Sequence, residues 1–426
     1  MSTMNQQEKR IIETVNNLRD EILDFASRLV AEPSTLGNES SVINVMEEEL
    51  RKLSFETFRI PFVLDELSKH PGFAPVDWVY NDRENIVGIR KPSGHGGRSI
   101  IFNGHLDVVS PEPIDFWDRD PFKPVLLDGW LYGRGAGDMK AGIAAMTYAV
   151  HAVEKSGFGF NAPVTIEGVI EEECSGNGAL ACLNAGYDAE AVLIPEPFGP
   201  TILTSQVGVL WFKISILGVA SHVQSTSSGT NAIEKSFLII SALRSLETEM
   251  NEPDKFPWPY RGMEHPLNLN IGIFHGGDWP SNVPASAEFH CRLSYFPGVS
   301  FKEIQHRIIQ VVMKAAEKDP WLRGNPPRVD FYGFRSDGHS VSRNTPALET
   351  INHCHKELTG QDAGDYISTC TTDLRTFHFF GKGESTCYGS LAENIHAANE
   401  RVNVESVMHV ARVYALFLRR WCGLAE

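Results

Sequence analysis

No stretch of this 426-residue chain is apolar for long enough to cross a bilayer, which excludes a helical membrane protein. No basic run offsets the formal net charge of -16, which argues against a nucleic-acid partner. The opening residues 1–10 are polar and lack the apolar core of a secretory signal. Cysteine is sparse and unframed: Cys174, Cys182, Cys291, Cys354, Cys370, Cys387 and Cys422 are odd in number and follow no disulfide spacing. Free thiols suit a reducing compartment, so the expected setting is the cytoplasm, away from membranes. Repeats and low-complexity tracts are also missing. What remains is an ordinary globular composition, 42% hydrophobic and 22% charged, long enough for two domains.

The most informative stretch is SIIFNGHLDVV, residues 99–109. Ile100, Ile101 and Phe102 read as a buried strand, and Gly104 lets a neighbour come close. His105 and Asp107 follow two apart, on one side of an extended chain. Such a pair suits a metal site in which the carboxylate orients the imidazole; a core histidine bonded to a neighbouring acid fits as well. Before this stretch, residues 8–31 carry apolar side chains at helical spacing up to Glu32-Pro33-Ser34, and a second helix is expected over 41–53. Residues 61–83 are rich in proline and aromatics without periodicity, and 85–90 is a short strand.

Further acids arrive at the ends of other elements. GRGAGDMKAG, residues 133–142, precedes an apolar helix through Ile143, Met146, Val150 and Val153. It is not a dinucleotide loop, because Asp138 stands where the third glycine belongs and would repel a pyrophosphate. That leaves Asp138 as a helix cap or a site acid. A strand over 164–170 runs into Glu171-Glu172-Glu173, three carboxylates that repel one another unless a cation sits among them; a solvated acidic loop is the plain alternative. A strand over 189–194 ends at Pro195-Glu196-Pro197. Strands alternating with helices imply a mostly parallel sheet, with ligands at the carboxyl ends of its strands.

From residue 207 to 334 the order becomes βαββαβ, the ferredoxin-like unit. The expected fold class is therefore α/β: residues 1–206 plus 335–426 form a mostly parallel sheet flanked by helices, and 207–334 form an inserted α+β domain. After it come a helix over 345–358, a polar loop over 369–375, residues 385–389 leading to NIHAANERV (394–402), and a closing helix. His353-Cys354-His355 looks metal-like but lies in a helix, where positions two apart do not share a face.

Taken in order, GHLDVV, GRGAGDMKAG, EEECSGNG, PEP and NIHAANERV, with GVASH and SNVPASAEFHCR in the insert, resemble the acetylornithine deacetylase / succinyl-diaminopimelate desuccinylase family, relatives of carboxypeptidase G and the aminoacylases. The resemblance runs from about residue 20 to the C-terminus. It implies a metallopeptidase-like fold holding two divalent metal ions, zinc by default, with manganese or cobalt able to take the same donors. Asp138 would bridge the ions, His105 and Glu196 would hold one, and Glu173 and His396 the other. Asp107 would orient His105, and Glu172 would act as general base on a metal-bridged hydroxide. A cis peptide is implied between Asp138 and Met139. The insert would pair subunits into a homodimer or higher oligomer, His222 reaching the partner's site as an oxyanion donor beside Asn282. Arg292 matches a substrate-carboxylate binder, and Thr372, Asp373 and Arg375 lie in a substrate loop. Without the resemblance, His222 reads as a surface histidine and Arg292 as half of a structural ion pair.

Two positions depart from the family pattern. Glu171 replaces the common Asp before the base, and Tyr388-Gly389-Ser390 replaces Tyr-Gly-Pro. The activity implied is hydrolysis of a C–N bond on a small carboxylate-bearing molecule, with deacylation of an N-acyl amino acid as the default. The same machinery could instead act on an N-formyl aminopyrimidine or deaminate an aromatic amine; Phe116, Trp117 and Trp279 would suit a flat ring, although loop aromatics usually serve packing. A catalytically silent metal- or ligand-binding member is the remaining class. Retention of Glu172 and His222 argues against it.

Overall fold

The computed structural model describes residues 4–425. Helices α1 (Gln6–Asn17) and α2 (Arg19–Val30) open the chain. The single helix expected over 8–31 breaks at Leu18, which leaves the helical region at φ -94° and ψ 11°. No glycine or proline marks that break; Leu18 is buried, and packing overrides a favourable local propensity. There follow α3 (Ser40–Lys52), β1 (Glu56–Pro61), β2 (Glu84–Arg90), β3 (Ile100–His105), α4 (Ala141–Lys155), β4 (Val164–Val169), α5 (Asn177–Asn184), β5 (Ala191–Ile194) and β6 (Ile202–Gln206). The insert comprises β7 (Gly208–Leu217), α6 (Ala232–Met250), β8 (Leu269–Gly276), β9 (Ser286–Tyr295), α7 (Phe301–Ala316) and β10 (Arg328–Ser336). The chain returns through α8 (Pro346–Thr359), β11 (Asp365–Ser368), α9 (Leu374–Phe380), β12 (Glu384–Cys387) and α10 (Val404–Trp421).

A six-stranded sheet runs in the order β1-β2-β4-β3-β5-β12. Strands β4, β3, β5 and β12 pair in parallel, and β2 opposes both of its neighbours. Parallel strands must be covered on both faces, and alternation along β3 divides the work. Ile100 and Phe102 face the larger core with α1 to α4 and α10, while Ile101 faces Ala179 of α5 and Leu374 and Phe377 of α9. Each such side chain contributes about 1.5–3 kcal/mol on full burial. At Gly104 a Cβ would lie 2.8 Å from Ile143, so the missing side chain lets α4 close against the strand end that carries His105.

The insert forms an antiparallel sheet, β8-β9-β7-β10, in ferredoxin-like order. Leu210, Phe212, Ile214 and Ile216 of β7 pack inward with Ile239 and Leu243 of α6 and Ile304 and Ile308 of α7. Alternation leaves Trp211, Lys213 and Ser215 on the uncovered face. That face meets the 61–83 excursion: the Gly333 N–H donates to the Pro75 carbonyl at 2.6 Å, and Lys213 pairs with Asp77 at 2.9 Å.

His353 is exposed and His355 buried, as the helical reading of that triplet required. His355 Nδ1 lies 2.6 Å and His409 Nε2 2.9 Å from the Tyr388 hydroxyl. Burial, then the neighbouring His355 and Arg412, lower the His409 pKa from 6.5 to about 4. Between these values the unfolded chain binds more protons, so the contribution is complete above pH 6.5 and is lost as the pH falls toward 4. Wild type is expected to lose about 1–3 kcal/mol more than His409→Asn between pH 7 and pH 4.5, read from denaturant unfolding at each pH.

Candidate active site

The carboxyl ends of β3, β4 and β5 meet the loop before α4 and the loop after β12. His105 is the last residue of β3, and its Nε2 lies 3.0 Å from Asp138 Oδ1. The other Asp138 oxygen, Oδ2, lies 3.5 Å from His396 Nε2, which in turn is 3.0 Å from Glu173 Oε1. One carboxylate thus faces two imidazoles from its two sides. Ligand atoms of His105, Asp138 and Glu173 fall within 4.8 Å of one another, and so do those of His105, Glu172 and Glu196. Glu172 is therefore not set back from the cluster but adjoins His105 and Glu196.

Acids outnumber cations here, and the titration of the groups shows it. Burial, then Asp138 and Glu173, push Glu196 far above the usual carboxylate range against the pull of His105. Burial, then Glu196, Asp373 and Glu173, do the same to Glu172, again against His105. The Glu173 charge leads in raising His396 to about 11. Burial opposes a charge on both Asp138 and His105, yet their mutual hydrogen bond lowers the first and raises the second. The cluster needs positive charge, and two imidazole nitrogens with three carboxylates fit a pair of divalent cations of the zinc class.

Local structure explains how each group arrives. The Asp107 carboxylate does not hold His105 as expected. His105 Nδ1 is 2.9 Å from the Asp107 backbone carbonyl, whereas the carboxylate Oδ1 is 3.7 Å away. That carboxylate instead accepts the backbone N–H groups of Glu172 and Glu173 at 3.3 and 3.1 Å, which outcompete the imidazole and tie the acidic loop to β3. Asp138 does not cap α4, whose first turn has no side-chain cap. The Asp138–Met139 peptide is cis, as the resemblance implied. His396 sits at φ 62°, between the left-handed Asn394 and Asn399, and its side chain is half exposed at the rim. A non-glycine residue held there is uncommon and concentrates at functional sites.

The acidic triplet is no solvated loop. Glu171, at φ 70°, is fully buried and accepts from Trp78 Nε1 and the Tyr80 hydroxyl at 2.6 Å and from Ser175 Oγ at 2.5 Å, while pairing with Arg83. It ties the 61–83 excursion to the site. Glu400 is a second residue that sequence reasoning passed over. Buried and paired with Arg134, it accepts the N–H groups of Gly137 and Asp138 at 2.9 and 3.0 Å. The signal available was one acid and one base in two separate site motifs, GRG and NER. Trp117 packs beside Arg134, so this aromatic supports the site, whereas Phe116 and Trp279 are exposed.

The remaining expected residues divide. Thr372 is buried with its hydroxyl donating to Gln206 Oε1 at 2.9 Å and accepting from the Leu374 N–H at 3.1 Å, so it braces its loop. His222 and Asn282 face each other across an isolated bridge on the insert and are exposed. Neither bonds to the metal-donor cluster of its own chain. Arg292, half-buried beside Cys370, has no carboxylate within ion-pair distance among the described residues, so the structural ion pair is not found. Gly389 is required by its neighbour, since a Cβ there would lie 2.0 Å from the Glu196 carbonyl. Ser390, in the departing position, accepts the Gly199 N–H at 2.9 Å through its backbone carbonyl.

A parallel sheet that gathers imidazoles and carboxylates at its carboxyl end defines a metal-binding hydrolase. The chain belongs to peptidase family M20/M25/M40, whose profile matches residues 101–420, and it is an amidohydrolase acting on carbon–nitrogen bonds. It is 24% identical over 375 residues to an N-formyl-4-amino-5-aminomethyl-2-methylpyrimidine deformylase of Halalkalibacterium halodurans, covering 82% of this chain and 85% of that one. The fold is similar to that of the di-peptidase Dug1p from Saccharomyces cerevisiae, with a TM-score of 0.78 at 14% identity over 99% of this chain and 100% of the other. It is also similar to a dinuclear metal binding peptidase of the M20 family from Bacillus subtilis, with a TM-score of 0.59 at 14% identity over 96% and 99%. Among the described residues no helix is long and apolar enough to cross a membrane.

Proposed function

We propose that this chain hydrolyses the N-formyl or N-acyl bond of a small substrate, using two divalent ions held around Asp138. The observation that carries the reading is Asp138 itself, whose two oxygens face His105 and His396 at 3.0 and 3.5 Å. His105, Asp138 and Glu196 would hold one ion, and Asp138, Glu173 and His396 the other, zinc being favoured and manganese or cobalt admissible. When bound, such ions polarise a substrate carbonyl and lower the pKa of water to roughly 7. Glu172 takes the proton from the attacking water and returns it to the leaving nitrogen. Water adds to the carbonyl carbon, the C–N bond breaks, and an acid and an amine leave. The exposed His222–Asn282 pair would serve as oxyanion donors to a second copy in a homodimer. The setting is cytoplasmic, in keeping with seven free cysteines.

The resemblance in sequence pointed first to the deacetylase branch. The likeness to a formylaminopyrimidine deformylase along 82% of the chain shifts the favoured substrate to a formamide on an aminopyrimidine. Deacylation of an N-acyl amino acid remains the second reading, carried by the unpaired Arg292, a ready partner for a substrate carboxylate. The test is metal analysis of the purified protein, with formate and amine release measured on N-formyl-4-amino-5-aminomethyl-2-methylpyrimidine beside N-acetyl amino acids. The expected result is two ions per chain and formate release that chelation abolishes and zinc restores. Protein that carries two ions and hydrolyses neither class would end the reading.

A further inference from the structure

Glu172 Oε1 is buried and has no hydrogen-bond partner. Facing it at 3.9 Å is Nη1 of Arg375, a guanidinium that is itself buried. Arg375 is fixed by the start of α9: Nη1 donates to the Thr372 carbonyl at 2.8 Å and reaches Thr371 Oγ1 at 3.5 Å. Nη2 lies 3.7 Å from Asp373 Oδ1 and makes no hydrogen bond. Two neighbours close in on the group. At Gly176, at φ 74°, a Cβ would fall 1.6 Å from Nη2, and the Phe334 ring of β10 lies 4.9 Å from Cζ. The glycine of the EEECSGNG motif therefore has a purpose that its neighbours in sequence do not reveal.

We infer that Arg375 is a positioning residue for Glu172, not a reader of a substrate carboxylate; the inference rests on the base role proposed for Glu172. A reader would turn free N–H groups toward the cleft. Here Nη1 is committed to Thr372, and Nη2 is enclosed by Gly176 and Asp373. What the guanidinium does offer is a fixed positive charge beside a buried Glu172 oxygen that accepts no hydrogen bond, and opposite charges in a water-poor pocket attract strongly. That attraction fixes the place of the carboxylate, which adjoins His105 and Glu196. Because Phe334 belongs to the insert, the clamp is completed only when the insert is seated.

The test uses metal-loaded, full-length Arg375→Ala, Arg375→Lys and Gly176→Ala. With the formylated aminopyrimidine as probe, kcat is expected to fall about 100-fold in Arg375→Ala, with KM within about threefold of wild type, since a misplacement of about 1 Å has that effect. Arg375→Lys should recover part of kcat, and Gly176→Ala, which evicts the guanidinium, should mimic the alanine variant. All should keep wild-type metal content. Crystal structures of metal-loaded wild type and variants supply the readout independent of turnover: the Glu172 carboxylate should shift by about 1 Å or more when Arg375 is removed or displaced. A tenfold rise in KM with unchanged kcat, or a Glu172 that stays in place, overturns the inference. If wild type fails to hydrolyse the probe, the functional reading fails separately, and the position of Glu172 in the variants still decides this one.

Discussion

Metal-loaded Glu172→Gln is expected to lose about 1,000-fold in kcat while keeping the metal content of wild type. Glutamine preserves the shape of the side chain but cannot accept the proton of an attacking water, and a positioned general base contributes about 100- to 10,000-fold. Metal should remain because the donors proposed for it are His105, Asp138, Glu173, Glu196 and His396. Turnover and metal analysis on one preparation check both expectations. A variant within tenfold of wild type would assign the base to another group.

The distinction between Glu172 and its neighbour Glu171 marks where the sequence stopped being readable. Both stand in one acidic run, and repulsion alone made the run a candidate cation site. Which carboxylate turns inward depends on Trp78, Tyr80 and Arg83, some ninety positions earlier in the chain, in a stretch without periodicity. Strands β3, β4 and β5 and their helices were legible because alternation and helical spacing record which side faces the core. Strand β1 was not. It lies at the sheet edge with only Ile60 buried, and an edge strand carries polar residues that hide its period. Helix α9 was hidden by the polar run that precedes it. Asp107 shows a subtler limit: spacing placed it correctly beside His105, but the backbone N–H groups that capture its carboxylate come from the far end of another strand.

Asp138→Asn is expected to empty both ion positions, where His396→Asn should leave one ion bound. The amide keeps the volume of the side chain, and the backbone of residue 138 stays fixed, since Glu400 accepts its N–H and not its side chain. What changes is that one oxygen becomes a donor and the negative charge between His105 and His396 disappears. A bridging position serves two ions, so its loss subtracts from both, whereas the half-exposed His396 approaches Glu173 and Asp138 alone. Metal analysis should therefore read two, one and none per chain for wild type, His396→Asn and Asp138→Asn. Thermal unfolding gives a second measure, because an ion that binds only the folded chain stabilises it by about 2.7 kcal/mol at a hundredfold excess over its dissociation constant. Added zinc should raise the midpoint of wild type and chelation should lower it, whereas Asp138→Asn should respond to neither. An Asp138→Asn protein that retained two ions would mean that His105 and His396 serve metals that share no carboxylate, and the dinuclear reading would fall with it.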